Sequence, residues 1–145
     1  MTDSALKHFA AHEHSFSLGG VPIEGWGEDS SIEWTRGEAI YTRKSGLDAQ
    51  GTRSMRKQPF GQFKLTLMQT SASNDYLMSL HLLDQATPGG AGVVPFLFKN
   101  NLGRTLIVGA EAWVIGEPDE AIAGEAGERE WLVDVYQPKV FLGGS

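Results

Sequence analysis

Only one stretch of this chain has a helical period; every other patterned stretch alternates with period two. Residues 74–86 put Tyr76, Leu80 and Leu83 on one face with Leu77 beside them, the spacing of an amphipathic helix. Ser71 or Ser73 is placed to cap it, and Asp75 suits its positive N-terminal end. Pro88-Gly89-Gly90 stops it. Directly before it, Gln62–Gln69 alternates, with Phe63, Leu65 and Leu67 pointing one way and Lys64 and Thr66 the other. The clearest strand therefore runs straight into the sole helix.

The other strands are shorter. His14–Leu18, a Gly19-Gly20 turn and Val21–Glu24 read as a hairpin. Ile32 and Trp34 alternate with polar neighbours, and Ala39–Thr42 continues extended, giving either a strand pair around Arg36-Gly37 or one kinked strand. Val93–Lys99, a turn at Asn100–Gly103 and Thr105–Val108 form a second hairpin signal, followed by a short strand at Glu111–Ile115. Glu130–Tyr136 places Trp131, Val133 and Val135 inward and Glu130 and Asp134 outward; Pro138 interrupts, and Lys139–Leu142 adds an edge segment. The expected fold is mainly β, with about seven to nine strands in two packed antiparallel sheets, as a sandwich or rolled barrel, and one α-helix on its side.

With 145 residues and no internal repeat or linker, a single domain spanning 1–145 is expected, large enough to bury a core without staples. Residues 1–13 read as a flexible arm and 143–145 as a tail. Residues 44–59 carry two glycines, several polar residues and almost nothing to bury. They form a long exposed loop or the tip of a hairpin, and loops of that length usually have a task.

Charge is divided along the chain. The net charge of −6 argues against tight electrostatic binding of nucleic acid. Arg43, Lys44, Arg53, Arg56, Lys57 and Lys64 fall between residues 41 and 64 with only Asp48 opposing them. Between residues 111 and 134 stand Glu111, Glu117, Asp119, Glu120, Glu125, Glu128, Glu130 and Asp134, opposed only by Arg129. Such halves are either two solvated faces or complementary surfaces for head-to-tail association of identical subunits. The basic stretch lacks the interleaved aromatics that single-stranded nucleic acid needs for stacking, since only Tyr41 and Phe60 flank it.

Catalytic signals are missing from the sequence. There is no cysteine, so disulfides, thiolate metal sites and thiol nucleophiles are excluded. No nucleophile elbow or phosphate-binding loop occurs. Carboxylates such as Asp119 and Glu120 lie in a polar loop with no apolar wall to raise a pKa. His12-Glu13-His14 is the sole clustered ligand set, with His8 and His81 the other histidines. A cupin-like metal-binding β barrel would need a metal at His12 and His14 together with a third and fourth ligand; the favoured reading has no enzyme activity, no cofactor and no metal. The opening residues lack a basic region followed by an apolar stretch, and no run approaches a membrane span, so cytoplasmic synthesis without a membrane anchor is expected.

Three stretches resemble the tail-tube proteins of contractile-tailed bacteriophages. They are Lys64–Leu83, with its L-x-Q-T-S-x-S-N signature running into the helix; Val94–Ala112, with V-P-F-L-F-K-N, a polar turn and a strand leading into A-E-A-W; and Glu125–Ser145, with G-E-R-E-W and the end F-L-G-G-S. The first thirty or so residues resemble the family least. The resemblance implies hexameric rings that stack into a hollow tube inside a contractile sheath, each subunit lending strands to a shared inner barrel. It implies a virion protein made in the host cytoplasm. Its partners would be further copies of itself, the tail sheath, tape-measure, baseplate hub and tail terminator proteins, with double-stranded DNA passing through the lumen. A tube subunit of a phage-derived injection machine, a tailocin or a type VI secretion-like apparatus, would share the pattern. On this reading residues 44–59 form the loop between subunits of stacked rings. Arg43, Lys44, Arg53, Arg56 and Lys57 are expected between rings, facing Glu117, Asp119 and Glu120. Glu130 and Asp134 are expected to face the lumen, because a wall that conducts DNA should not hold phosphates.

Overall fold

The computed structural model describes residue 6 and residues 13–27, 31–57 and 59–144. The strands are β1 (His14–Leu18), β2 (Val21–Pro22), β3 (Ile32–Thr35), β4 (Tyr41–Ser45), β5 (Gly51–Met55), β6 (Phe60–Met68), β7 (Val94–Asn100), β8 (Leu106–Val114), β9 (Glu128–Tyr136) and β10 (Lys139–Phe141), and the helix is α1 (Ser73–Ala86). Eight strands make one antiparallel sheet in the order β2-β1-β7-β8-β9-β6-β3, with β10 also on β8; β4 and β5 pair only with each other. Glu111↔Tyr136 and Val108↔Lys139 share one register, so β10 continues β9 along β8 past Gln137, whose φ of 48° makes the interruption.

The large sheet rolls on itself. Phe16 of β1 and Phe63 of β6 have three strands between them in the sheet, yet their rings meet edge-on at 4.9 Å. The expected two-layer β fold with one helix is thus present, its layers being two parts of one curled sheet. Phe63, Leu65 and Leu67 from β6 and Trp131, Val133 and Val135 from β9 are buried inside it, as the alternation required. Each such side chain contributes about 1.5–3 kcal/mol by leaving water.

Several local expectations need correcting. No strand pair forms around Arg36-Gly37 and no kinked strand continues through it: β3 pairs with β6, and β4 leaves for β5. Gly37, at φ 91°, permits that departure. Residues 106–114 form one strand rather than two, because Gly109 is not a break. A Cβ there would lie 2.6 Å from the Phe96 ring, so the glycine admits the ring between paired strands. On α1 the buried positions are Asn74, Leu77 and Leu80, while Leu83 is exposed.

The junction from strand to helix explains why its polar residues are needed. Asn74 donates from Nδ2 to the carbonyls of Met68 (2.9 Å) and Ser71 (3.0 Å), and its Oδ1 accepts the Trp131 indole N–H at 2.9 Å. Ala72 is the formal N-cap, without a side-chain bond, and the Ser71 hydroxyl oxygen accepts the Ser73 N–H instead. Ser71 Oγ donates to the Glu24 carbonyl (2.6 Å), and Ser73 Oγ accepts the Glu24 N–H (2.9 Å), which fastens the segment before β3 to the helix start. Tyr76, partly buried, donates to the Leu18 carbonyl at 2.8 Å, and the burial raises its pKa.

Candidate assembly surfaces

The β4–β5 hairpin carries most of the basic residues singled out in the sequence. Every residue of both strands is exposed. Of the two readings of residues 44–59, the hairpin is the one found: Ser45↔Gly51 closes its ladder and residues 46–50 make the tip. Tyr41 pairs with Met55 and Arg43 with Arg53, all on one face. Arg53 turns its guanidinium over Tyr41, 3.9 Å from the ring centre. Arg56 donates its N–H to the Ile40 carbonyl and pairs with Glu38 at 3.5 Å, and Lys57 is exposed just beyond. Lys44 lies on the other face with Thr52. Like charges directly opposite on a ladder destabilise it, and a two-stranded ribbon without a packed face is marginal in water. Among the described residues β4 and β5 pair only with each other.

The acidic residues expected opposite this arm divide into two sets. Residues 117–127 form an irregular loop between β8 and β9, in which Glu117 and Asp119 are exposed without an ion pair among the described residues. Glu120 is engaged within its own chain, bridged to Arg129 and bonded by Gln69 Nε2. Gln69 also donates to the Ala121 carbonyl (2.9 Å) and accepts the Gly127 N–H (2.7 Å), clasping both ends of the loop. A cleft of about 250 Å³ opens between this loop and α1, with Asp75, Met78, Glu117 and Pro118 on its walls.

Glu130 and Asp134 lie on the outer face of β9, as alternation placed them, but neither is alone. Lys64 sits between Glu130 (3.5 Å) and Glu33 (3.7 Å), and Gln62 donates to Asp134 at 3.1 Å. The same outer face bears an aromatic group: Phe60 lies 5.3 Å from Tyr136 and 6.3 Å from Trp113 between ring centres. Sequence reasoning missed this cluster, which depends on the register Phe60↔Tyr136.

His12 and most of residues 1–13 lie outside the described residues; His14 stacks on Phe98 at 5.9 Å. Among the described residues no three His, Cys, Asp or Glu side chains gather to hold a metal, and no helix is long and apolar enough to cross a membrane. At the other end, the Gly143 carbonyl accepts the Thr105 hydroxyl (3.2 Å) and the Gly144 carbonyl the Arg104 N–H (3.2 Å), so those two glycines lie against the turn before β8.

A rolled β subunit with one helix is the architecture of tube-capping proteins in contractile injection systems. The chain superposes with a TM-score of 0.62 on the sheath/tube terminator of the extracellular contractile injection system PVC, at 9% identity, covering 96% of this chain and all of that one. With the tube-terminating cap of the anti-feeding prophage the TM-score is 0.59 at 7% identity, covering 97% of this chain and 95% of the cap. In sequence it is similar to Structural protein ORF10 of Pseudomonas phage KPP10, 28% identical over 123 residues, 85% of this chain and 71% of that protein. No protein-family model matches. The chain thus shares its fold with injection-system tube terminators and its sequence pattern with a phage structural protein, and its likenesses are to structural proteins rather than enzymes.

Proposed function

We propose that this chain is a ring-forming structural subunit of a phage tail tube, assembling as hexamers that stack to let DNA pass. The observation that carries the reading is the β4–β5 arm, wholly exposed and with Arg43 opposite Arg53, which needs a partner to be held. Glu117 and Asp119, exposed and unpaired among the described residues, are the acidic groups for it on an adjoining ring. Exposed ion pairs contribute only about 0–1 kcal/mol each, so they set register while apolar burial supplies most of the stability. Lumen lining falls to the outer face of β3, β6 and β9, where Glu33, Glu130 and Asp134 outnumber Lys64. Sheath, tape-measure, baseplate hub and terminator proteins are the proposed partners, and the virion the place of action.

A second reading, favoured by the likeness to two tube-terminating proteins, is a ring that caps the tube. Negative-stain electron microscopy of the purified chain separates the two. Stacked tubes support a tube subunit and single rings of fixed size support a terminator; a monomer under every salt condition would refute both.

A further inference from the structure

Among the described residues, two exposed apolar patches lie on either side of the β8–β9 wall. The first is the free face of α1, where Leu82 and Leu83 are 52% and 46% exposed. It is acidic: Asp75, exposed two turns before Leu82, lies on the same side and the helix contains no lysine or arginine, whereas Asp84 shares the side of Leu77 and Leu80 and packs against Gly90 and Gly92. The second lies where β7, β8 and β10 run side by side. Lys99, Leu106 and Phe141 form one row across the three strands, and Leu97, Val108 and Lys139 the next. Leu106 is 39% and Phe141 58% exposed, whereas Ile107, pointing the other way, is fully buried. This patch is basic, with Lys99, Arg104 and Lys139 around it and no acidic residue anywhere in 97–110 or 137–144.

The two patches face different ways. Leu77 and Leu80 of α1 join the core, and Asn74 bonds the inward Trp131, so Leu82 and Leu83 point away from the inner side of the wall. Leu106 and Phe141 point away from its outer side. Among the described residues none of Asp75, Lys99, Arg104 and Lys139 has an ion pair. A head-to-tail contact that closes a ring needs two different, mutually complementary patches per subunit. Here both patches are leucine-rich and their charges are opposite.

We infer that the acidic leucine face of α1 docks on the basic Leu106–Phe141 face of the next copy around the ring. The inference rests on the ring-forming reading and adds the contact that closes the ring. The arm serves contacts between rings, and this pair of faces serves contacts within one.

Charge exchange tests it on the full chain, with thermal unfolding as the folding control. Lys99→Glu with Lys139→Glu should weaken assembly about tenfold, read by sedimentation, through like-charge juxtaposition with Asp75. Asp75→Lys should do the same, and mixing the two variants should restore mixed assemblies. Because the chain has no cysteine, Leu83→Cys with Leu106→Cys should oxidise to a ladder of cross-linked species, while each single variant stays monomeric on the same gel. Normal rings from Leu82→Glu with Leu83→Glu would overturn the inference and assign the helix face to another protein. Self-cross-linking of either single variant would overturn it in favour of a two-fold contact. In both cases unmodified chain that still forms rings leaves the ring-forming reading standing; unmodified chain that forms none removes that reading instead.

Discussion

The β6–β9 ladder and the β4–β5 ladder use the same antiparallel pairing and differ in nearly everything else. The first runs from Phe60↔Tyr136 to Met68↔Glu128, buries Phe63, Leu65, Leu67, Trp131, Val133 and Val135 on one face, and is flanked by β3 and β8. The second runs from Tyr41↔Met55 to Ser45↔Gly51, buries nothing and sets two arginines against each other. Backbone hydrogen bonds are common to both, and net they contribute modestly because water offers the same bonds to the open chain. Apolar burial separates the ladder that holds the subunit together from the exposed arm.

That contrast fixes the size of several effects. The largest is expected from Leu65→Ala, fully buried in the first ladder, which should cost about 2–5 kcal/mol in urea unfolding through lost transfer energy and a cavity. Next comes Asn74→Ala, about 1–3 kcal/mol by the same measurement, because the Trp131 indole N–H loses its buried acceptor and the Met68 and Ser71 carbonyls their donor. Reversing Arg53, Arg56 and Lys57 to glutamate together should change subunit stability by no more than about 0.5 kcal/mol, yet abolish long assemblies in micrographs. Unchanged assembly would break the division of labour between the ladders. The smallest effect belongs to Glu120→Gln, about 0–1 kcal/mol and lost in high salt, since its bridge to Arg129 is partly exposed.

What the sequence made legible follows the same division. The alternation of Gln62–Gln69 and Glu130–Tyr136 showed which side chains are buried, because one wet and one dry face leave a period-two record. Residues 41–55 have no such record, since both faces of that hairpin are wet, and the sequence of residues 44–59 is equally compatible with a loop and a hairpin tip. Leu83 fits the helical period of Tyr76 and Leu80, but the buried stripe runs through Asn74, Leu77 and Leu80, which turns Leu83 outward. The L-x-Q-T-S-x-S-N signature was visible as a pattern, and its cause was not. Gln69 holds Gly127, Ser71 holds Glu24 and Asn74 holds Trp131, all partners remote in sequence. Charge clusters could be counted from the sequence, whereas their engagement could not: nothing local foretold that Glu120 would be bridged to Arg129 or Lys64 set between Glu33 and Glu130.

The central claim is that the β4–β5 arm acquires its partner only on assembly. Hydrogen exchange of backbone amides, followed in dilute subunit and in assembled particles, tests it directly. The account predicts amides of residues 41–55 that exchange quickly in the free subunit and become protected by orders of magnitude in the particle, while β6 and β9 are protected in both. An arm that exchanges equally fast in the two states would contradict it.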